Sequence, residues 1–413
     1  MKDERKTAPV IRFNGFSDAW EQRKLGDVAT SFEYGLNASS KEYDGENKYI
    51  RITDINENSH LFNQNNLTSP DIVLINSDNY LLKEGDILFA RTGASVGKSY
   101  CYEEIDGKVY YAGFLIRAKV KQKYDVKFIF QNTLTNRYNN FIQITSQRSG
   151  QPGINAQEYA NFDLHTPKLE EQQKIGTFFK QLDNTIALHQ RKLDTLKLMK
   201  KGFLQQMFPE KGEKVPKLRF ADFEEEWEQR KLGEYGEFYY GKSAPKWSVT
   251  EDAVIPCVRY GELYTKFGAK IDRIYSYTNI PKENLKFSTG YEVLVPRVGE
   301  NPLEFAKCSW LKIPNVAIGE MISVYNTKQN PLFIAIYFRA KMRIEFAKRV
   351  EGGNVSNLYY SYLENILLSI PSIGEQVRIA KIFSKLDDII NLQQNKIDKF
   401  KNLKKSYLQN MFI

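Results

Sequence analysis

The chain has 413 residues, of which 42% are apolar and 26% charged, so it is long enough for two or three globular domains. No stretch approaches the roughly 20 apolar residues of a membrane span, and the charged N-terminal residues lead into no apolar signal core, which predicts a cytoplasmic protein. Three scattered cysteines fit neither a disulfide framework nor a zinc ribbon, and the net charge of +9 permits a polyanionic partner.

The first element of the chain belongs to an internal repeat. The heptapeptide Trp20–Gly26 recurs unchanged at Trp227–Gly233, 207 residues later. A second match aligns residues 172–208 with residues 376–412, 204 residues later, with 17 of 37 positions identical and no gap. The segments between the matches have nearly equal length but share little sequence. The chain is therefore predicted to be a duplication of one variable block and one shared block.

The first variable block is predicted to be mixed, with more strand than helix. Short apolar runs bounded by turn residues predict strands at 86–90 and within 108–120, and 128–141 is predicted as a helix. Residues 93–99 resemble a phosphate-binding loop, but only three residues separate the two glycines where a nucleotide site needs four. We therefore expect no nucleotide site in this segment.

A long amphipathic helix is predicted between Pro167 and Pro209, and its copy follows Pro371. Apolar residues recur at alternating spacings of four and three, which is typical of a coiled coil. Antiparallel pairing would bring His189 against Gln393, and we expect that contact; the alternative is that each helix packs only on its own domain. The predicted seam positions are Ile175, Phe179, Leu182, Ile186, His189, Leu193, Leu196 and Phe203 in the first helix and Ile379, Phe383, Leu386, Ile390, Gln393, Ile397, Phe400 and Tyr407 in the second.

The second variable block carries similar signals in a different sequence. Strands are predicted at 292–295, after a glycine turn, and at 332–338. Residues 301–305 approach the Asn-Pro-Pro-aromatic signature of amino-methyltransferases, but leucine replaces the second proline, so we interpret them as a turn. The three histidines have no metal-site spacing, and no serine, cysteine or histidine stands out as an activated nucleophile.

The order of variable and shared blocks resembles the specificity subunits of type I restriction–modification systems over essentially the whole chain. The resemblance is carried by the repeated heptapeptide that begins at Trp20 and Trp227, and by the Pro-x3-Glu-Gln helix starts at Pro167 and Pro371. The Gly-Asp-Ile-Leu-x2-Arg-x-Gly run at 85–93 adds to it. The second copy of that run has an extra residue and no aspartate, which argues against transferring loop geometry residue by residue.

This resemblance implies an α+β fold, in which two mixed α/β target-recognition domains are separated by two long antiparallel helices that form a coiled coil with a pseudo-twofold internal repeat. The first target-recognition domain would be 1–166, the central helix with its linker 167–215, the second domain 216–370 and the last helix 371–413. A helix of this length spans about 55 Å, which sets an upper limit of roughly 16 base pairs on the domain separation.

The resemblance also implies partners and a division of labour. Each domain would read one half of a split site in double-stranded DNA, and the helices would dock two methyltransferase subunits, which bind S-adenosylmethionine and methylate adenine. Restriction (translocase) subunits would add ATP-driven translocation and cleavage. The chain itself would bind no cofactor and no metal and would be non-catalytic. No membrane partner is expected.

Residues that read DNA are expected on loops that carry hydrogen-bonding side chains. The loop 146–153 fits best, because it has donors, acceptors and glycines but no acid; a solvated loop is the alternative. Arg51 and Arg259 are each followed three residues later by an acid, so a structural ion pair is the alternative for both. The candidate DNA-binding residues are Asn37, Arg51, Arg91, Lys98, Ser146, Gln147, Arg148, Ser149, Gln151, Lys242, Ser243, Arg259, Arg297, Lys348, Arg349, Asn354, Ser356 and Asn357.

Two other functions remain open from the sequence alone. One is a coiled-coil scaffold without DNA specificity. The other is a single-chain methyltransferase or nuclease that carries its own recognition domains. The enzyme would need a cofactor loop and an acidic catalytic cluster, neither of which the sequence shows.

Overall fold

The computed structural model describes residues 7–148, 150–210 and 212–413. The chain forms two compact units. The first comprises residues 1–191 and 394–413, and the second comprises residues 192–393. Each unit therefore combines one variable block with a segment of both long helices.

The first unit is built on a four-stranded antiparallel sheet. The strands of the whole unit are β1 (Glu21–Lys24), β2 (Ala29–Tyr34), β3 (Ser40–Glu42), β4 (Lys48–Ile50), β5 (Thr68–Pro70), β6 (Asp86–Ala90), β7 (Ser99–Cys101), β8 (Val109–Tyr111), β9 (Leu115–Val120) and β10 (Asp163–Thr166). Its helices are α1 (Leu25–Val28), α2 (Val126–Asn132), α3 (Asn136–Thr145), α4 (Ala156–Ala160) and the first part of α5 (Leu169–Gln206). The main sheet has the order β2-β9-β6-β7, and β4 pairs with β8 in parallel.

The second unit repeats this plan with one more strand in its main sheet. Its strands are β11 (Glu228–Lys231), β12 (Gly236–Tyr240), β13 (Ile255–Val258), β14 (Lys270–Ile271), β15 (Ser276–Thr278), β16 (Glu292–Pro296), β17 (Val298–Gly299), β18 (Ser309–Leu311), β19 (Ala317–Ile318), β20 (Ile322–Thr327), β21 (Glu351–Gly352), β22 (Ser356–Asn357) and β23 (Leu367–Ile370). Its helices are α6 (Leu232–Tyr235), α7 (Tyr260–Thr265), α8 (Pro331–Lys341), α9 (Arg343–Ala347) and the first part of α10 (Ile373–Asn410). The last part of α5 also belongs to this unit, and the last part of α10 belongs to the first unit. The main sheet has the order β12-β20-β16-β18-β14, and β13 pairs with β19 in parallel.

The long helices α5 and α10 each contain 38 residues, and the residues predicted to form their seam lie on the covered side of each helix. Every predicted seam position is buried or half-buried. The seam includes the polar Gln393, which is 4% exposed. The alternating spacing of four and three therefore follows the buried side of both helices, and the pairing of these positions across a seam stays a prediction.

Ion pairs show that the helix segments run antiparallel within each unit. In the first unit Lys404 Nζ lies 2.6 Å from an oxygen of Asp183, and in the second unit Lys200 pairs with Asp387. Each pair joins a residue late in one helix to a residue early in the other. His189 stacks on the ring of Phe400. The expected contact between His189 and Gln393 would join residues of different units, and it stays a prediction.

The repeated heptapeptide attaches each unit to the end of a long helix. The Trp20 ring packs edge-on against Phe412, close to the end of the chain, at a centroid distance of 6.4 Å. Trp227 packs in the same way against Phe208, which follows α5, at 6.2 Å. Both tryptophans are buried. The tryptophan of each heptapeptide is thus a core residue of its unit.

Two predicted elements differ from the structure. Residues 332–338, predicted as a strand, lie in α8, where the Asn330 side chain accepts a hydrogen bond from the Phe333 amide and Pro331 occupies the first turn. Every residue from 331 to 338 is buried, so the run is apolar without a helical period and resembles a buried strand. The single helix predicted at 128–141 is two helices, because Thr135 caps the start of α3.

The missing aspartate of the second copy is replaced by a glutamate. In the first unit the Asp86 carboxylate accepts a hydrogen bond from the amide of Lys83 at 2.9 Å, which closes the turn before β6. In the second unit the Glu292 carboxylate accepts one from the amide of Thr289 at 2.7 Å. The extra residue, Tyr291, precedes β16 and leaves the strand itself unchanged. Strands β6 and β16 are therefore equivalent.

Candidate nucleic-acid interface

A cleft of about 790 Å³ opens on the first unit. The chain segments that follow β2, β4 and β6 line it together with the turn between β8 and β9. The cleft brings together three predicted DNA-binding residues, Asn37, Arg51 and Arg91, and adds the exposed rings of Tyr34 and Phe114. The described residues that line it include two arginines and no carboxylate. Its composition therefore favours an anionic ligand or an aromatic base.

Arg91 is held in this cleft from several sides. It directly follows β6; its amide donates to the Phe114 carbonyl at 3.0 Å, and its carbonyl accepts from the Ile154 amide at 2.9 Å. Its guanidinium carbon lies 5.1 Å from the centroid of the Tyr34 ring and 5.8 Å from that of Phe114. The Nε atom is buried and has no hydrogen-bond partner among the described residues. The terminal nitrogens are then the donors that remain for a ligand.

Arg51 forms the ion pair that the sequence allowed as an alternative. Its Nε and Nη2 donate to the two carboxylate oxygens of Asp54 at 2.9 and 3.0 Å, and Nη1 donates to the Ser40 hydroxyl at 3.1 Å. The hydrogen bond to Asp54 raises the pKa of Arg51. Its charge is therefore largely compensated. Asn37 is exposed at the cleft, and half-buried Lys98 has its Nζ 3.9 Å from a carboxylate oxygen of Glu57.

The predicted recognition loop 146–153 lies beside Arg91. Thr92 and Gly153 form a β-bridge, and the Gly153 amide donates to the Ser146 carbonyl at 3.2 Å. Ser146 ends α3 and is 8% exposed, so its side chain does not face a ligand. Gln151 is exposed. This end of the loop can therefore join Arg91 in one interface.

The middle of the same loop is partly occupied by internal contacts. Arg148 donates from Nη2 to a carboxylate oxygen of Glu158 at 2.5 Å and from Nη1 to the Thr145 carbonyl at 2.8 Å. The sequence of the loop has no acid, but the fold supplies one from α4. Gln147 is exposed, and Ser149 lies outside the described residues.

Arg297 repeats the arrangement of Arg91 in the second unit. It directly follows β16; its amide donates to the Met321 carbonyl at 3.1 Å, and its carbonyl accepts from the Leu358 amide at 2.8 Å. Its guanidinium carbon lies 4.7 Å from the centroid of the Tyr240 ring, which itself packs on Tyr360. The Nε atom is again buried without a hydrogen-bond partner among the described residues, and Nη2 contacts the Met321 sulfur at 3.1 Å. Burial raises the pKa of Tyr240.

A glycine follows the tyrosine in both units because two loops touch there. A Cβ atom on Gly35 would lie 2.2 Å from the carbonyl oxygen of Ala112, and one on Gly241 would lie 2.1 Å from that of Gly319. No side chain fits at either distance. The Tyr-Gly pair thus brings the tyrosine next to the turn that binds the arginine amide.

The other predicted residues of the second unit lie around the same turn. The amide of exposed Lys242 donates to the Ile318 carbonyl, and the Ser243 carbonyl accepts from the Glu320 amide. Arg259 is half-buried at the start of α7. Its predicted acid, Glu262, accepts from the Arg259 backbone amide at 3.0 Å. The acid therefore caps α7 here.

The loop 348–357 divides into two parts. Lys348 and Arg349 end α9 and both pair with Glu345, at 3.7 and 2.8 Å, beside a separate pocket of about 370 Å³. Asn357 pairs with Val298 in a small sheet next to Arg297. Within this loop Asn354 is exposed, Asn357 is half-buried and Ser356 is 4% exposed.

The aromatic and sulfur groups around the arginines were not predicted. Phe114, Tyr360 and Met321 come from turns that lie far from Arg91 and Arg297 in sequence. The repeated Tyr-Gly pair was the one available signal.

Among the described residues, no group of three or more histidine, cysteine, aspartate or glutamate side chains is placed to hold a metal ion. None of the described helices combines the length and the apolar character needed to span a membrane.

Comparisons with known proteins agree with this architecture. The chain is 20% identical over 359 residues to the type I restriction enzyme MjaVIII specificity subunit of Methanocaldococcus jannaschii, covering 81% of this chain and 80% of that protein. The crystal structure of the S subunit of a type I restriction-modification system from M. genitalium aligns with a TM-score of 0.64 at 13% identity, covering 98% of this chain and 99% of that one. A chain from a structure described as the basis of complex assembly and conformational transition of the type I R-M system aligns with a TM-score of 0.53 at 16% identity, covering 94% and 96%.

The family assignment rests on both halves of the sequence. The profile of the type I restriction modification DNA specificity domain matches residues 17–198 and again residues 224–402. Together these matches cover most of the chain, one in each copy of the repeat. The chain belongs to the type I restriction modification DNA specificity domain family.

Proposed function

We propose that this chain is the DNA-recognition subunit of a type I restriction–modification complex, in which each unit reads one half of an interrupted, asymmetric site. Family membership supports DNA specificity as the function. The observation that supports two separate half-sites is that both units have the same scaffold but different loops. In each unit, an arginine after the equivalent strand, β6 or β16, lies beside a different polar loop.

Two unlike loop sets on one scaffold suit the reading of two unlike sequences. Side chains with hydrogen-bonding groups remain exposed on the loops of both units, and they differ between the units. They are Asn37, Gln147 and Gln151 in the first unit and Lys242 and Asn354 in the second. Amide side chains can pair with adenine, and lysine can pair with guanine, in the major groove. The two half-sites are therefore expected to differ.

Docking of two methyltransferase subunits on the long helices forms the second part of the proposal. Large apolar side chains are exposed at matching positions of the two helices. Leu188 and Leu392 are 60% and 56% exposed, and Met199 and Leu403 are 40% and 41% exposed. Each unit holds one member of each pair. A duplicated apolar surface fits two copies of one partner.

Catalysis is assigned to the partners in this proposal. The methyltransferase subunits would bind S-adenosylmethionine, and restriction subunits would use ATP, while this chain binds neither and has no catalytic role. The predicted location remains the cytoplasm. A scaffold without DNA specificity and a single-chain methyltransferase or nuclease are the competing functions.

Mapping of methylated adenines tests the proposal. DNA from host cells with and without this gene, in the presence of the methyltransferase gene, would be sequenced for methylated positions. We expect one interrupted, asymmetric motif that disappears when the gene is removed. An unchanged motif would favour the scaffold, and methyl transfer by the purified chain alone would favour the enzyme.

A further inference from the structure

The two units share one detailed arrangement around an arginine. Arg91 and Arg297 each follow an equivalent strand, bind a turn through the backbone amide, and accept an amide hydrogen bond at the carbonyl. Each guanidinium lies over the ring of an equivalent tyrosine, Tyr34 or Tyr240. In both, Nε is buried without a hydrogen-bond partner among the described residues. Such a side chain is fixed before any ligand binds, which reduces the entropy lost on binding.

The surroundings of the two arginines are otherwise different. The neighbouring segment of the first unit is a loop with exposed Gln147 and Gln151, whereas in the second unit it is a small sheet that contains Asn357. If the two units recognise different sequences, an arginine that both of them hold in the same way fits a part of DNA that does not vary with sequence. The phosphate backbone is that feature, because phosphate contacts set position and register whereas base contacts set specificity.

We propose that Arg91 and Arg297 are equivalent phosphate anchors, each binding one backbone phosphate of its half-site without contributing to base preference. This inference rests on the proposed function. The backbone hydrogen bonds and the tyrosine ring hold each arginine in place, and its terminal nitrogens can donate two parallel hydrogen bonds to a phosphate. The cleft around Arg91, whose described lining includes no carboxylate, leaves this charge available for the DNA backbone.

The salt dependence of DNA binding gives the direct test. The complex of this chain with its methyltransferase subunits would be titrated with the cognate duplex and with duplexes that each carry one changed base pair, at several salt concentrations. We expect Arg91→Ala and Arg297→Ala each to weaken binding roughly tenfold, by the same factor on every duplex. Each variant should also reduce the slope of log affinity against log salt by about 1. The methylated motif should stay the same.

Two further kinds of variant distinguish phosphate binding by Arg91 from a base contact and from a general effect of positive charge. Arg91→Lys should recover the salt slope and only part of the affinity, because a lysine keeps the positive charge near the phosphate but not the two parallel hydrogen bonds of the guanidinium. Arg23 and Arg230 occupy equivalent positions of β1 and β11 and are exposed. Arg23→Ala and Arg230→Ala remove the same charge elsewhere and should leave binding nearly unchanged.

The outcomes distinguish this inference from the proposed function. A variant at Arg91 or Arg297 that relaxes the preference at one base pair would overturn the phosphate assignment and make that arginine a base reader. Unchanged affinity and salt slope would show that the arginine does not contact DNA. In both cases the wild-type complex would still bind a specific site. If the wild-type complex itself shows no sequence preference, the proposed function fails instead.

Discussion

Glu171 and Glu375 show what the repeated residues at the helix starts contribute. Each is 1% exposed and accepts two hydrogen bonds from an arginine that lies far away in sequence. Arg12 donates to Glu171 at 2.7 and 2.8 Å, and Arg219 donates to Glu375 at 2.9 and 2.8 Å. The paired geometry fixes the segment before each heptapeptide to the first turn of a long helix.

The glutamine that follows each glutamate completes this junction. The Gln172 side chain donates to the carbonyl of Pro167 at 2.7 Å and accepts from the amide of Asp125 at 3.1 Å. Gln376 makes the same two kinds of bond in the second unit, to the equivalent proline and from the amide of Asn330. Both glutamines are buried. The Pro-x3-Glu-Gln motif is therefore a structural joint between recognition domain and helix.

Replacing one carboxylate of this joint should destabilise its unit. Glu171→Gln leaves the Arg12 guanidinium without its ionic partner in a largely buried position, so we expect the free energy of unfolding to fall by about 2–3 kcal/mol. Glu375→Gln should have a similar effect in the second unit. Urea unfolding followed by circular dichroism measures the change. The neighbouring exposed Glu170→Gln is the control, and equal stability of all three variants would contradict the structural role.

For single residues, the sequence predicted which side chains could donate or accept hydrogen bonds, but not which of them are already paired or buried. Asn37, Arg51 and Arg91 were chosen as hydrogen-bonding side chains near turns, and the fold brings them to one cleft. The sequence could not show that Arg148 meets Glu158 or that Ser146 is buried, because both depend on how α3 and α4 pack. Contacts between distant segments decide which donors stay available.

Among the larger elements, the spacing of apolar residues predicted the helices that are buried on one side, and it missed the helix that is buried on all sides. The predicted seam positions of α5 and α10 are buried or half-buried, and the alternating spacing was visible because one side of each helix is covered. Helix α8 is buried all round over residues 331–338, so its apolar run has no period to detect. The same reason explains why the strands 86–90 and 292–295 were identified by their turns rather than by alternation.

The exposed apolar residues of the helices give a prediction at the scale of the element. Leu188→Asp and Leu392→Asp each place a charge on one copy of the proposed docking surface, so each should weaken the binding of one methyltransferase copy about 30-fold or more. The single variants should form complexes with one copy instead of two, and the double variant should bind neither. Analytical ultracentrifugation of the mixed proteins reads out the stoichiometry.

A matched pair of polar changes controls for the helix itself. Lys192 and Lys396 are exposed at equivalent positions, so Lys192→Ala and Lys396→Ala should leave the stoichiometry at two. Circular dichroism should show unchanged helix content in all variants, because the leucines are exposed. Two bound copies on the double leucine variant would place the docking surface elsewhere.

For the whole molecule, the sequence showed the duplication, but it did not show which segments of the chain belong to each unit. Two matches at offsets of 207 and 204 residues defined the repeat without any structure. The structure shows that the end of α10 belongs with the first variable block, and that the second unit is one continuous segment, residues 192–393. Only contacts such as that between Trp20 and Phe412 reveal this assignment.

The exchange of one recognition domain tests the central claim most directly, namely that each unit reads its own half of a split site. Residues 20–166 would be replaced by the corresponding segment of another family member with a known motif, and methylated adenines would be mapped in cells that express the hybrid with the methyltransferase. We expect one half of the motif to change to that of the donor and the other half to stay. A change in both halves, or in neither, would contradict the account.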